Sequence, residues 1–99
     1  MATVVVTPTA VEDLDTLVRT LSLPRSTRDR AKSSLRPLAR FPHLGAPLEG
    51  RWADFRFILG PWRWMLIVYV YDEGTDRVAV VTIQDARSAV AATAPGTTP

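Results

Sequence analysis

The stretch WRWMLIVYVY, residues 62–71, decides the fold. Its residues 64–71 form an unbroken apolar run, which suits a buried strand and is far too short to span a bilayer. A turn-forming segment, DEGTD at residues 72–76, follows, and then a valine-rich strand over residues 77–84. Upstream, residues 54–59 predict another strand, which Gly60 and Pro61 separate from the run. The second half of the chain is therefore predicted to be three antiparallel strands.

The first half predicts one strand and two helices. Val4, Val5 and Val6 indicate a strand over residues 3–7. A helix is predicted after Thr7 and Pro8, with Thr9 and Glu12 spaced as a capping box. Its apolar face is formed by Val11, Leu14, Leu17, Val18 and Leu21. Pro24 is expected to end it.

The second helix is predicted to start with another capping-box pattern, Ser26 and Asp29. Its apolar stripe comprises Ala31, Leu35 and Leu38, and Pro37 should kink it or end it early. Residues 41–51 contain two prolines and two glycines and are predicted to be a loop. Residues 85–94 could start a short helix, and residues 95–99 are expected to form a flexible tail.

Together these elements predict an α+β fold in the order β-α-α-β-β-β. A twisted antiparallel sheet is packed on one face by the N-terminal helical hairpin, and the first strand pairs along an edge of the sheet. A chain of 99 residues suits one domain, which we expect over residues 1–94.

Composition excludes several classes of chemistry. The chain has no cysteine, so it has no disulfide, thiolate nucleophile or zinc–thiolate site. A single histidine cannot build a histidine-based metal site alone. We therefore expect neither a metal nor another cofactor. The N-terminus lacks the pattern of a secretion signal, which indicates a cytoplasmic protein that does not engage the membrane.

Positive charge is concentrated in the middle of the sequence. Residues 19–63 carry ten basic and three acidic side chains, a balance of +7, whereas the flanking segments are acidic. Eleven of the twelve basic residues are arginine, which suits bidentate contacts with phosphate or carboxylate. A genome rich in G and C would give the same bias, so composition alone leaves both explanations open.

Strand alternation predicts which side chains share a face of the sheet. The more apolar face should lie under the helices and carry Trp64, Leu66, Val68 and Val70, together with Val78, Val80 and Thr82. If Gly60 and Pro61 form a two-residue loop, Ile58 lies opposite Arg63. Arg56, Arg63 and Arg87 then gather on the face away from the helices. They would either hold a phosphate or pair with Asp85, which is predicted to lie opposite Arg63.

A second basic set lies on the second predicted helix, where Arg28, Lys32, Arg36 and Arg40 are spaced by four. Like charges at this spacing repel by roughly 0.2–0.5 kcal/mol per pair. The stripe is either a solvated face or, with Arg51, a surface for an acidic peptide or a nucleic-acid backbone. Trp52 and Trp62, at predicted strand ends, could stack on bases or pack in the protein, whereas Trp64 suits the core.

In order along the chain, several short motifs resemble the RelE/ParE toxin superfamily of type II toxin–antitoxin systems. They are TAVEDL at residues 9–14, Leu35 and Leu38 with Pro42, PLEG at 47–50, Arg56, WRWMLI at 62–67, Asp72 with Glu73, and IQDAR at 83–87. The resemblance spans about residues 4–90. It implies a toxin that forms a hetero-oligomer with a cognate acidic antitoxin.

For the RelE branch the resemblance implies a ribosome-dependent endoribonuclease that cuts mRNA without a metal. Arg56 and Arg63 would hold the phosphate, and Arg87 would stabilise charge or donate a proton. His43 and Glu49 are the possible bases. The sequence departs from the branch just after Arg87, where Ser88 follows and no tyrosine or histidine stands. The alternatives are a non-catalytic ParE-like inhibitor of DNA gyrase and a decayed member that only binds its antitoxin.

Overall fold

The protein forms a five-stranded sheet covered on one face by helices. The structure, a computed structural model, describes residues 1–87. Its elements are β1 (Thr3–Val6), α1 (Pro8–Thr20), α2 (Thr27–Leu35), α3 (Pro37–Arg40), β2 (Ala46–Pro47), a short 3-10 helix (Gly50–Trp52), β3 (Phe55–Leu59), β4 (Met65–Asp72) and β5 (Arg77–Asp85). The predicted tail, and all but the beginning of the predicted last helix, lie outside the described residues.

The strand order is β1-β5-β4-β3-β2. As predicted, β1 lies at an edge; it runs parallel to β5, with Val4 opposite Val78 and Val6 opposite Val80. The other neighbouring strands are antiparallel. The two-residue strand β2 lies in the predicted loop and forms the other edge. The predicted α+β architecture is confirmed.

The N-cap of helix α1 lies two residues before the one that the capping-box pattern indicated. Thr7, not Thr9, is the N-cap, and its Oγ1 accepts a hydrogen bond from the Ala10 amide at 3.3 Å. The same hydroxyl donates to the Val80 carbonyl at 2.8 Å, so the cap also joins the helix to β5. Proline is well placed at the start because the first turn needs no amide donor there. The helix ends at Thr20, before Pro24, as predicted.

Helices α2 and α3 confirm the predicted apolar stripe, since Ala31, Leu35 and Leu38 are buried. Pro37 divides the segment as expected: α2 ends at Leu35 and α3 begins at Pro37. Ser26 is the N-cap of α2, but its side chain makes no capping hydrogen bond. The helix therefore starts where the pattern predicted, but the predicted capping hydrogen bond of Ser26 is absent.

The connection between β3 and β4 differs most from the prediction. It takes five residues, 60–64, instead of two, and Ile58 lies opposite Ile67 instead of Arg63. A different register changes which side chains point to the core. The fully buried residues of β4 are Met65, Ile67 and Tyr69. The predicted assignment of Trp64, Leu66, Val68 and Val70 to the face under the helices is therefore wrong.

Strand β5 contains a bulge that its sequence did not predict. Val68 lies opposite Thr82 but Tyr69 lies opposite Val80, so Val81 is an extra residue. Such a bulge changes the side-chain alternation beyond it. Val78, Val80 and Ile83 consequently all reach the core. Arg77 lies opposite Asp72.

Candidate functional site

Arg56 is a structural residue of the helix-covered side of the sheet. It lies opposite the buried Tyr69, and side chains opposite each other in a pair share a face. Its Nη1 donates to the Gly45 carbonyl at 2.8 Å and to the His43 carbonyl at 3.3 Å. The predicted position on the face away from the helices is wrong, because the β3–β4 register differs.

The loop that Arg56 holds is also anchored by Tyr69. The Tyr69 hydroxyl donates to the Pro42 carbonyl at 2.8 Å and accepts from the Gly45 amide at 2.8 Å. A Cβ on Gly45 would lie 2.6 Å from the Phe57 carbonyl oxygen, so a larger residue does not fit here. Arg56 and Tyr69 together fix the chain between α3 and β2.

Arg63 and Arg87 lie at one end of the sheet. Arg63 is exposed in the β3–β4 turn, outside the paired residues of the two strands. Arg87 comes just after β5, where its Nε and Nη2 donate to the two carboxylate oxygens of Asp85 at 2.9 and 2.8 Å. This hydrogen bonding raises the pKa of Arg87 further above its usual value. Asp85 lies opposite Met65, so the predicted pairing of Asp85 with Arg63 is wrong.

The structure therefore brings two of the three predicted catalytic arginines to the same end of the sheet and separates Arg56 from them. Arg56 donates hydrogen bonds to loop carbonyls, and Arg87 forms an ion pair with the Asp85 carboxylate. The predicted convergence on one face depended on a two-residue turn that the chain does not make.

The candidate base His43 belongs to the other end of the sheet. Its Nε2 lies 3.7 Å from a Glu73 carboxylate oxygen, and its ring meets the Tyr71 ring edge-on at 5.2 Å. Tyr71 donates to Asp76 at 2.7 Å, and this bond raises the pKa of the Tyr71 hydroxyl. Sequence reasoning missed this polar group because Tyr71 was counted as part of an apolar strand.

Glu49, the second candidate base, is exposed and precedes the short 3-10 helix. Arg51 lies in that helix and is also exposed. Within residues 1–87, no group of three or more histidine, aspartate or glutamate side chains could hold a metal ion. Among the same residues, none of the helices has the length and apolar character that a membrane span requires.

The predicted basic stripe is exposed along the outer side of α2 and α3. Arg28, Lys32, Arg36 and Arg40 are all exposed, and Arg28 makes an ion pair with Asp15 at 2.7 Å. Arg36 sits at the junction between the helices with helical backbone angles, so the spacing continues across Pro37. We call these four residues the basic stripe; they are exposed on α2 and α3, and Arg28 at one end of the stripe faces α1.

The middle of the sheet face away from the helices is apolar. The register places five apolar side chains there: Phe55, Phe57, Leu66, Val68 and Val70. Polar residues lie on the same face at its two ends, with Asp72 opposite Arg77 at one end and Gln84 opposite Leu66 at the other. Ala79 of β5 continues the row opposite Val70. Leu59 is 48% exposed at its margin, and the exposed Trp52 packs edge-on against Phe55. We call this surface the apolar face. Sequence reasoning missed it because it placed Leu66, Val68 and Val70 under the helices.

Comparison with known proteins gives a family and a fold. The family model described as the ParE toxin of the type II toxin–antitoxin system parDE matches residues 4–90. No curated protein matches the chain.

Solved structures show the same fold at low sequence identity. The RelBE2 toxin–antitoxin complex of Mycobacterium tuberculosis contains a chain with 24% identity and a TM-score of 0.60, over 85% of this chain and 96% of that one. The intact Escherichia coli RelBE complex contains one with 16% identity and a TM-score of 0.65, over 87% and 98%. A conserved hypothetical protein of Helicobacter pylori has 19% identity and a TM-score of 0.59, over 88% and 97%.

Proposed function

Because the chain belongs to the ParE toxin family of type II toxin–antitoxin systems, we propose that it disables a target protein by binding it, and that this target is DNA gyrase. The resemblance to the ParE branch implies this target. A cognate acidic antitoxin neutralises the toxin by forming a hetero-oligomer with it.

The observation that carries this proposal is the apolar face. The centre of a protein–protein interface is depleted of charge and rich in aromatic residues, and its rim is polar. Phe57, Val68 and Leu66 at the middle of the face fit such a centre. A site for RNA phosphate would instead need cations at that position, and Arg56 lies on the opposite side of the sheet.

Metal-free, ribosome-dependent cleavage of mRNA is the second candidate function. One observation favours it: Arg63 and Arg87 lie at the same end of the sheet, where the Arg87 guanidinium lies over the ring of Trp64, the residue after Arg63. Positioning and charge stabilisation carry much of such catalysis. In this alternative the two arginines would act without Arg56. His43 lies at the other end of the sheet, which leaves Glu49 as the base to test.

The basic stripe supports the antitoxin as a partner. Repelling cations on one helical surface are relieved when an acidic segment binds along them. Two of the similar solved structures are toxin–antitoxin complexes. We assign Arg28, Lys32, Arg36 and Arg40 to this contact, with Arg51 as a further candidate.

The two functions are distinguished by what stops first after induced expression in bacteria. We expect incorporation of thymidine to fall before incorporation of amino acids, while mRNA stays intact. Purified protein should also inhibit supercoiling by purified gyrase. Early loss of amino-acid incorporation, with mRNA cut only in the presence of ribosomes, would establish the ribonuclease instead. No effect on either process would indicate a member that only binds its antitoxin.

A further inference from the structure

The loop between α3 and β2 presents two large apolar side chains at the surface. Phe41 is 58% exposed and Leu44 is 56% exposed. They line an open depression of about 420 Å³, together with Arg40, Pro42 and His43. We call this depression the Phe41 pocket. Single exposed apolar residues are common on protein surfaces, whereas adjoining ones around a depression are typical of binding sites.

Hydrogen bonds hold this loop in one arrangement. The Phe41 amide donates to the Pro37 carbonyl at 2.8 Å, and the Leu44 amide donates to the Phe41 carbonyl at 3.0 Å. The bonds of Tyr69 and Arg56 described above fix the carbonyls of the other loop residues. A surface that is ordered before binding loses little conformational entropy when a partner arrives. The loop is therefore well suited to bind another apolar side chain.

The charges around the Phe41 pocket indicate an acidic partner. Arg40 lines the pocket and is also the last residue of the basic stripe, and Arg36 lies one helical turn before it. Both arginines are exposed, and within residues 1–87 neither makes an ion pair. At the other end of the lining, His43 lies 3.7 Å from the Glu73 carboxylate. An acidic segment is therefore attracted on the Arg40 side of the pocket and repelled on the Glu73 side.

We propose that the Phe41 pocket receives a large apolar side chain of the antitoxin, a leucine or an aromatic residue, at the end of the acidic segment that lies along the basic stripe. This inference rests on the proposed contact between the stripe and an acidic antitoxin. Charge on the stripe attracts and orients the segment, whereas the apolar contact in the pocket fixes its register and contributes most of the affinity.

Binding of fluorescent peptides tests the proposal in the absence of gyrase. The probe is a helical peptide with glutamates at the spacing of the stripe and one leucine, placed at its N-terminal end in one version and at its C-terminal end in the other. Anisotropy should show binding that weakens as salt rises. For one of the two versions, replacing its leucine by serine should weaken binding on the order of tenfold.

A double-mutant cycle then tells whether that leucine enters the pocket. Phe41→Ser should weaken binding of the same peptide on the order of tenfold, and in this variant the loss of the peptide's leucine should have no further effect. Val11→Ser is the matched control, because it removes a 46% exposed apolar side chain from the start of α1, outside the pocket, and should leave binding unchanged. Leu44→Ser provides a second test if thermal unfolding shows that Phe41→Ser does not fold.

Arg36→Gln reports on the stripe separately, since it should reduce the salt dependence and leave the coupling between Phe41 and the leucine intact. Additive losses from Phe41→Ser and the peptide substitution would overturn the proposal, and an effect of Arg36→Gln would show that the stripe contact survives that failure. Tighter binding of a single-stranded RNA, or self-association of the chain that Phe41→Ser removes, would assign the pocket to another occupant and overturn the proposal as well. If neither peptide binds, the proposed stripe contact fails together with the pocket, and the proposed gyrase target is unaffected.

Discussion

Tyr69 shows how one polar atom in the core can hold a whole segment. Its ring is fully buried in β4, yet its hydroxyl reaches the loop after α3, where it bonds to Pro42 and Gly45. Buried polar groups without partners are costly, so the hydroxyl and the loop depend on each other. The close approach at Gly45 leaves no room for the loop to move toward the sheet.

Replacing Tyr69 by phenylalanine should lower the free energy of unfolding by about 1–3 kcal/mol, because the Gly45 amide then loses its acceptor in a buried position. Urea denaturation measures the loss. Tyr71→Phe is the matched control: it removes a hydroxyl that bonds to Asp76 at an exposed site, and should change stability by less than about 0.5 kcal/mol. Equal effects of the two substitutions would contradict the anchoring role of Tyr69.

At the scale of elements, a helix side chain accepts hydrogen bonds from the part of β5 that has no β1 neighbour. Strand β1 pairs with β5 only as far as Val80. Beyond that point the Asp13 carboxylate of α1 accepts from the Ile83 amide at 3.3 Å and from the Thr82 hydroxyl at 2.6 Å. A helix carboxylate thus takes the place of a missing strand.

Asp13→Ala should destabilise the protein by about 1–3 kcal/mol, since it leaves a partly buried amide and hydroxyl without an acceptor. Asp15→Ala, two residues along the same helix, removes an exposed ion pair with Arg28 that is worth about 0–1 kcal/mol. The difference between the two midpoints of urea denaturation gives the contribution of the β5 contact. Similar midpoints would mean that solvent replaces Asp13.

The helices and strands could be predicted, but the sheet register could not. Apolar spacing predicted Leu35 and Leu38 inside, and Pro37 marked the division between α2 and α3. Strand β4, by contrast, is apolar on both faces, so its alternation does not say which side is buried. The faces then depend on the turn, and the five-residue connection and the bulge at Val81 depend on packing between distant residues. The placement of Arg56 failed for this reason, whereas exposure of the basic stripe followed from local helical spacing.

At the scale of the whole molecule, the helices separate two surfaces of opposite character. The basic stripe lies on the outer side of α2 and α3, and the apolar face lies on the other side of the sheet. Charged surfaces mainly govern encounter and partner choice, whereas apolar centres carry most of the binding energy. Substitutions should therefore affect neutralisation and toxicity separately.

Reversing two charges of the stripe, with Lys32→Glu and Arg36→Glu together, should weaken the complex with the proposed acidic antitoxin and reduce its salt dependence. The variant should remain toxic, and co-expression of the antitoxin should no longer rescue growth. Arg19→Glu, an exposed position of α1 outside the stripe, is the control for net charge and is compared with Lys32→Glu alone.

Leu59→Glu should reduce toxicity and leave antitoxin binding intact. It places a charge at the margin of the apolar face, where Leu59 is 48% exposed, so the fold should tolerate it. Burying that carboxylate against a target is unfavourable, and inhibition of gyrase should fall on the order of tenfold or more. Binding of the antitoxin, measured by calorimetry, should persist because the stripe is unchanged. If Leu59→Glu abolishes antitoxin binding while gyrase inhibition is retained, the assignment of the two surfaces is reversed, because the apolar face then belongs to the antitoxin.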